Sequence, residues 1–117
     1  MNPVTGLSLA RIALGTLAFV SPRLAARLFR LDGAGQPQLG YMSRMFASRE
    51  IALGAATLAA PPALRGKVVA AGVVIDLADA ASGALAGRDG AVSKPTSAFL
   101  AVPALAAAIT GIVATRR

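Results

Sequence analysis

The sequence predicts an all-α fold: a bundle of four transmembrane helices, with a short amphipathic interfacial helix between the first and second spans. The hydrophobic content of 56% exceeds the roughly 45–50% of soluble domains. Charged residues make up only 15%, against about 25% in an average soluble protein. Mean hydropathy is also high, at +0.66. The length of 117 residues corresponds to one domain, which we place at residues 1–117.

Four apolar segments carry the prediction of four spans. They cover about residues 4–20, 41–60, 68–86 and 96–115, and each has about the 17–25 residues that a membrane-spanning helix needs. The breaks between them are Ser21-Pro22, Pro61-Pro62 and Gly87–Gly90. The alternative is an alanine-rich soluble bundle, but a soluble helix rarely runs for about 20 residues without a polar stripe.

The first span could instead be a cleaved signal peptide. It lacks the basic segment that precedes the apolar part of such a peptide, and its apolar part contains Arg11. We therefore expect this span to be retained.

The connection after the first span predicts the interfacial helix. From Pro22 to Leu31, leucines fall on one side and the arginines Arg23, Arg27 and Arg30 on another. That arrangement suits contact with lipid headgroups, although a solvated connecting helix would show the same pattern. We expect the helix to end within the segment Asp32–Pro37, which contains two glycines and a proline.

Ionisable residues inside the spans are the candidate functional site. A charge at the bilayer centre costs about 2.5–3.5 kcal/mol on insertion scales, so it normally faces a bundle interior or a wet cavity and has a partner. Arg44 lies one turn from the end of its span and is free to snorkel. The set, three basic and three acidic, is Arg11, Arg44, Arg49, Glu50, Asp76 and Asp79.

Helical geometry and depth predict which of these charges pair. At 100° per residue, Asp76 and Asp79 fall on one face of the third span. Arg11 lies at a similar depth to Asp76, and Arg49 at a similar depth to Asp79. We therefore expect these two pairs. The glycines expected at helix contacts are Gly15, Gly54, Gly72 and Gly83.

Glu50 is left without a partner of its own. We expect it to bridge Arg11 or Arg44, or to carry a proton. Two readings of the network remain: a static set of ion pairs that fixes helix register, or a site in which one carboxyl relays protons or binds a cation.

A repeat of opposite charge links the first two spans. Arg11 begins the sequence Arg-Ile-Ala-Leu-Gly, and Glu50 begins Glu-Ile-Ala-Leu-Gly, each followed by a proline at the same offset. Because consecutive spans run in opposite directions, a true repeat would be inverted. A chance match is equally consistent with the alanine and leucine bias.

Composition excludes several functions. The chain has no cysteine and no histidine, so disulfides, iron–sulfur clusters and thiol chemistry are excluded, and zinc and haem lack their usual ligands. We expect no cofactor and no metal, carboxylate-bound hard cations alone being possible. There is no phosphate-binding loop and no nucleophile–base arrangement, which disfavours an enzyme.

The strong positive charge points to lipid rather than to nucleic acid. The formal net charge is +7 and aromatic residues make up 4%, too few for a base-stacking platform. Attraction of loop arginines to anionic headgroups explains the charge more simply, so the expected partner is the lipid bilayer.

Three sequence elements resemble a known family. They are the opening Arg11–Pro22, the segment 43–54 with its Ser-Arg-Met-Phe-Ala-Ser-Arg-Glu start, and Asp76-Leu-Ala-Asp79. Together they are similar to small four-helix bacterial membrane proteins catalogued as a domain of unknown function, and more broadly to DoxX-like membrane proteins. The resemblance implies a four-helix membrane fold. It implies no firm activity, although some DoxX-like proteins are accessory subunits of membrane oxidoreductases.

The expected function is that of an accessory or scaffold subunit in the cell inner (plasma) membrane. Gly15, Gly72, Gly83 and the small residues around them favour tight helix contacts over a roomy cavity. We expect a homo-oligomer or a complex with another membrane protein. The alternative is a proton- or ion-coupled transporter of small molecules that acts as a homo-oligomer.

Overall fold

Five helices and no strand make up the described part of the chain, so the all-α prediction is confirmed. The computed structural model describes residues 2–32, 35–36 and 38–116. Its helices are α1 (Pro3–Val20), α2 (Pro22–Leu28), α3 (Leu39–Ala59), α4 (Pro62–Arg88) and α5 (Lys94–Thr115). Gly33, Ala34 and Pro37, in the segment expected to end the interfacial helix, lie outside the described residues.

Side-chain caps and prolines fix where the helices begin. The Asn2 side chain accepts a hydrogen bond from the Val4 amide at 2.8 Å, and Ser93 caps the Thr96 amide at 3.3 Å. Pro62 stands at the first turn of α4, where the missing N–H has no intrahelical partner to lose. The second proline of the expected break is therefore a helix start, and α4 begins six residues before the predicted span.

Three helices are long and apolar enough to cross a membrane: α1, α4 and α5. Helix α3 has 21 residues, but it carries Arg44, Arg49 and Glu50 within seven positions. Every 18-residue stretch of α3 contains all three charges, whereas α1, α4 and α5 each have an apolar stretch of that length with no more than two.

Helices α1 and α3 pack against each other through two reciprocal glycine contacts. A Cβ atom at Gly15 would lie 2.8 Å from the carbonyl oxygen of Ala47, and one at Gly54 would lie 2.6 Å from that of Ser8. Both distances are shorter than real Cβ contacts, so only glycine allows the backbones to come this close. The same offset of 39 residues relates Gly15 to Gly54 and Ser8 to Ala47. The α1–α3 pair therefore has the local two-fold geometry of an inverted repeat.

Helices α4 and α5 form a second antiparallel pair. A Cβ atom at Gly83 would lie 2.9 Å from the Cβ of Leu100, and one at Gly111 would lie 2.6 Å from Cγ2 of Val73. Pro103 lies inside α5. Packing within each pair is much more extensive than packing between the pairs, so the fold is two close helix pairs joined over a smaller area.

Helix α2 covers the end of the bundle where α1 and α4 finish. Its alanines Ala25 and Ala26 are buried, whereas its arginines are exposed. Leu24 and Leu28 are exposed as well. The helix ends at Leu28 rather than Leu31, and its leucine side and arginine side both face outward, as contact with a membrane surface would require.

A left-handed residue ends α2 and ties it to α5. Arg30 has a φ of 59°, and the next amide, that of Leu31, donates to the Ala26 carbonyl at 2.7 Å. This is the hydrogen bond of a Schellman motif, in which glycine is the usual left-handed residue. The buried Thr96 hydroxyl donates to the Arg30 carbonyl at 3.1 Å, and the Arg30 guanidinium lies 5.1 Å from the centre of the Phe99 ring. The strained turn is thus held from α5.

The distribution of side chains is the reverse of that in a soluble protein. Among the described residues, the buried hydrophobic side chains are alanines and Val69, while charged Arg11, Glu50 and Asp76 are buried too. The large hydrophobic side chains are mostly outside, including Phe19, Leu77, Phe99, Val102, Leu105, Ile109 and Val113. A soluble monomer rarely exposes so continuous an apolar surface.

Candidate functional site

Arg11 is the centre of a buried ionic core. Its side chain is 7% exposed, and its Nη1 donates to Glu50 Oε2 at 2.9 Å and to Asp76 Oδ1 at 2.9 Å. Its Nη2 donates to the other oxygen of Asp76. The predicted Arg11–Asp76 pair is present as a bidentate contact, the strongest form of such a pair. Of the alternatives for Glu50, the structure shows the bridge to Arg11.

Gly72 makes room for this contact. It lies one helical turn before Asp76 on α4, and a Cβ atom there would lie 3.1 Å from Nη2 of Arg11. A glycine in the middle of a helix costs about 0.5–1 kcal/mol relative to alanine. Here it leaves room for the guanidinium of Arg11 beside α4.

A second ion pair, Arg49 with Asp79, joins α3 to α4 nearer the α2 end. Arg49 Nη2 donates to Asp79 Oδ2 at 2.7 Å, as the sequence predicts. The two side chains are 39% and 27% exposed, so this pair is less buried than the first. Among the described residues, Arg49 Nε has no hydrogen-bond acceptor.

Phe46 is a site residue to which the sequence analysis assigns no role. The Arg49 guanidinium lies 5.4 Å from the centre of the Phe46 ring, close enough for a cation–π contact. The spacing of three residues on one helix, which brings side chains together, was the signal available in the sequence.

Arg44 does not join the ionic core. It is exposed, its Nε donates to the Phe19 carbonyl at 3.2 Å, and its guanidinium lies 5.8 Å from the Phe19 ring centre. The reason is geometric: Arg44 lies in the second turn of α3 and points toward the end of α1. Its place at a helix end agrees with the expected snorkelling. The remaining residues, two basic and three acidic, have a formal charge of −1; they are Arg11, Arg49, Glu50, Asp76 and Asp79.

The three carboxylates converge. One oxygen of each of Glu50, Asp76 and Asp79 lies within 4.8 Å of the others, a spacing at which carboxylates can share a cation. Arg11 and Arg49 already supply two positive charges to the same group. The carboxylates alone therefore do not define a metal site.

A cavity of about 330 Å³ lies next to the Arg49–Asp79 pair, between the two helix pairs and under α2. The expectation of tight contacts without a roomy cavity holds within each pair and is wrong between them. Alanines and glycines allow close approach where two helices touch, but leave space where the pairs diverge. The lining residues are Ala18, Ala25, Ala26, Phe29, Leu31, Leu39, Met42, Ser43, Phe46, Asp79, Ser82, Gly83 and Leu100.

On the far side of Arg11 the helices close up. The void bounded by Ser8, Arg11, Thr57 and Gly72 measures only about 10 Å³, room for one water molecule at most. The ionic core therefore separates a packed half of the bundle from a half with a cavity.

The difference in exposure between the two carboxylates at this boundary gives a prediction. We expect Asp76→Asn to lower the free energy of unfolding by about 3–5 kcal/mol, because it leaves the buried Arg11 poorly paired. We expect Asp79→Asn to lower it by only about 1 kcal/mol, since Arg49 is partly exposed and keeps its contact with the Phe46 ring. Unfolding in mixed micelles measures both. Equal losses would contradict the assignment of one buried and one partly exposed pair.

The site thus combines the buried network around Arg11, the partly exposed Arg49–Asp79 pair and an apolar cavity with the Asp79 carboxylate on its wall. The arginines Arg23, Arg27 and Arg30 lie outside it, exposed on and just after the helix that covers the cavity. Comparison with family models, with curated proteins and with solved structures gives no match to this chain.

Proposed function

We propose that the chain is a multi-pass protein of the cell inner (plasma) membrane in which α1, α3, α4 and α5 each cross the bilayer. The observation that carries this proposal is the reversed distribution of side chains: large hydrophobic residues outside, alanines and ion pairs inside. Lipid is the solvent in which that arrangement is favourable. The longest dimension of 45 Å matches a bilayer of about 40–45 Å with its headgroups.

Helix α3 is the fourth span in this proposal despite its charges. It lies alongside α1 from the Ser43–Ala18 hydrogen bond at one end to the Gly54–Ser8 contact at the other. If α1 crosses the membrane, α3 crosses with it. Glu50 and Arg49 are paired with residues of the neighbouring helices, as charged residues inside membrane segments normally are.

Fractionation tests the membrane placement. We expect the protein to sediment with membranes, to resist extraction by alkaline carbonate and to dissolve only with detergent, because the exposed apolar surface needs lipid or detergent around it. A fusion of α3 to a reporter at either end should report opposite sides of the membrane. Recovery in the aqueous phase without detergent would exclude the proposal.

Within the membrane, we propose an accessory or scaffold role. The tight glycine contacts within each pair and the buried Arg11 network support a rigid body. Helix α5 offers a continuous outer face of large side chains, Phe99, Val102, Leu105 and Ile109, on which another membrane protein or a second copy could pack. The resemblance to DoxX-like proteins, some of them accessory subunits, is consistent with this role.

Purification in mild detergent tests the role. We expect one stoichiometric partner, or an oligomer of defined mass, to co-purify with the wild-type chain. Substituting Val102 and Ile109 with alanine on the α5 face should release it, whereas Val74→Ala, at an exposed valine of α4, should not. Purification as a lone monomer from native membranes would contradict an accessory role.

A second candidate function is a proton- or ion-coupled transporter acting as a homo-oligomer. The convergence of Glu50, Asp76 and Asp79 within 4.8 Å favours it, because closely spaced carboxyls beside arginines are typical of proton relays. Reconstitution in liposomes tests it: transport should be lost in Glu50→Gln and Asp79→Asn and kept in Asp89→Asn, whose carboxyl is exposed at the end of α4.

A further inference from the structure

An accessory role does not require the cavity beside Asp79. The residues that line this cavity are mostly apolar, with few polar groups among them. Asp79 is the one charged residue among its lining residues, and Ser43 and Ser82 are the two hydroxyls. The hydroxyl of Ser43 donates to the Ala18 carbonyl, and that of Ser82 donates to the Ala78 carbonyl. The carboxylate is thus the main polar group that a ligand would meet.

One of the two carboxylate oxygens of Asp79 is available to accept a further hydrogen bond. Arg49 Nη2 donates to Oδ2 of Asp79, while Oδ1 of Asp79 accepts no hydrogen bond from the described residues. The side chain is 27% exposed and lies on the cavity wall. A donor that reaches Oδ1 from the cavity would bind Asp79 without displacing Arg49.

The net charge of the ionic core favours a ligand whose hydrogen-bond donor is positively charged. With Arg44 at the end of α1, the core contains two arginines and three carboxylates, which leaves a formal charge of −1. An uncompensated charge inside a membrane bundle is costly, so one further positive charge stabilises the core. A carboxylate or phosphate ligand would be repelled.

The other residues that line the cavity favour a ligand that is apolar apart from its charged group. Its walls are formed by apolar side chains such as Ala18, Phe29, Met42 and Leu100, and 330 Å³ lies within the range of small-molecule sites. A bare inorganic cation would lose its hydration shell in such surroundings without gaining enough oxygen ligands. An apolar body fills the space and gains from leaving water.

We propose that this cavity binds a small amphiphilic amine: one protonated nitrogen bonded to Asp79 Oδ1, carried on an aliphatic or aromatic body that lies between the two helix pairs under α2. The site rests on the proposed membrane placement, but it does not depend on whether the chain acts as an accessory subunit or as a transporter.

A matched set of probes tests the proposal. Octylamine, octanol and octanoate share one body and differ in the charge of the head. Binding to the purified protein in lipid nanodiscs is measured by calorimetry and corrected with empty discs. We expect octylamine to bind about tenfold or more tighter than octanol, the difference that one charge-assisted hydrogen bond in a partly desolvated site provides. We expect octanoate not to bind.

Two variants test whether the ligand binds in this cavity and contacts Asp79. Asp79→Asn should weaken octylamine binding to the level of octanol, and Ser82→Leu, which fills the cavity without altering a charge, should weaken both. Asp89→Asn is the matched control and should bind octylamine as the wild type does. Equal affinity for octylamine and octanol in the wild type would overturn the amine assignment and leave a neutral amphiphile as the occupant. Binding unchanged in Ser82→Leu, or none in the wild type, would overturn the site.

Discussion

Replacing Arg11 with methionine should lower the free energy of unfolding by about 3–5 kcal/mol, as large a loss as we expect from any single charge removal. The substitution keeps a long apolar side chain but strands Glu50 and Asp76, which Arg11 binds together. Both carboxylates are nearly fully buried, so water cannot replace the guanidinium. Reversible unfolding in mixed micelles, followed by circular dichroism, measures the loss.

Arg44→Met is the matched control for this experiment. Arg44 lies on α3, is exposed and contacts only the end of α1, so its loss should change the free energy of unfolding by no more than about 1 kcal/mol. Neutralising the partners in the triple variant Arg11→Met, Glu50→Gln and Asp76→Asn should recover part of the stability, because no charge is then stranded. A single Arg11 variant as stable as the wild type would show that the core is wet.

Gly54→Leu should be comparably damaging through packing alone. Any Cβ atom at this position would lie 2.6 Å from the Ser8 carbonyl oxygen and 2.7 Å from Cγ1 of Ile12. Helices α1 and α3 would have to separate along their contact, and overpacking of this kind costs about 1–3 kcal/mol or more. Separation would also pull Glu50 away from Arg11. Unfolding in mixed micelles and cysteine cross-linking between α1 and α3 would both report it.

Gly66→Leu tests whether that loss comes from the contact rather than from the residue type. Gly66 lies in α4, and a Cβ atom added there would meet no other atom within 4 Å. Leucine at this position should therefore be neutral or stabilising by about 0.5–1 kcal/mol through helix propensity. If both leucines cost the same, the close approach of α1 and α3 does not limit stability.

The ionic core was largely predictable, because helix geometry is regular. A repeat of 100° per residue and a rise of 1.5 Å per residue place Asp76 and Asp79 on one face and set their depth. The low dielectric then requires partners, and the only bases at those depths are Arg11 and Arg49. The same regularity placed the glycines between helices.

The cavity and the exclusion of Arg44 could not be predicted in this way. Each depends on how two helix pairs sit beside each other, and that is a property of many weak contacts rather than of one periodic pattern. Composition alone also could not show that small residues would leave a space of about 330 Å³ between the pairs. The same residue types bring the two helices into close contact within each pair. The turn at Arg30 was missed because its φ of 59° is unusual for a residue other than glycine.

The division into two helix pairs has a consequence for how the protein assembles. Everything needed for the first pair, including the Arg11–Glu50 contact, is synthesised before Pro61, and everything in the second pair comes after it. In the core, the first pair contributes two arginines and one glutamate, and the second contributes two aspartates. In the proposed membrane placement, each pair can therefore insert as a hairpin of its own, and we expect the opposite net charges of +1 and −2 to bring the hairpins together. A chain divided at Pro61-Pro62 and expressed as two pieces should reassemble. Arg11 and Arg49 of the first piece would then pair with Asp76 and Asp79 of the second, which makes the association specific.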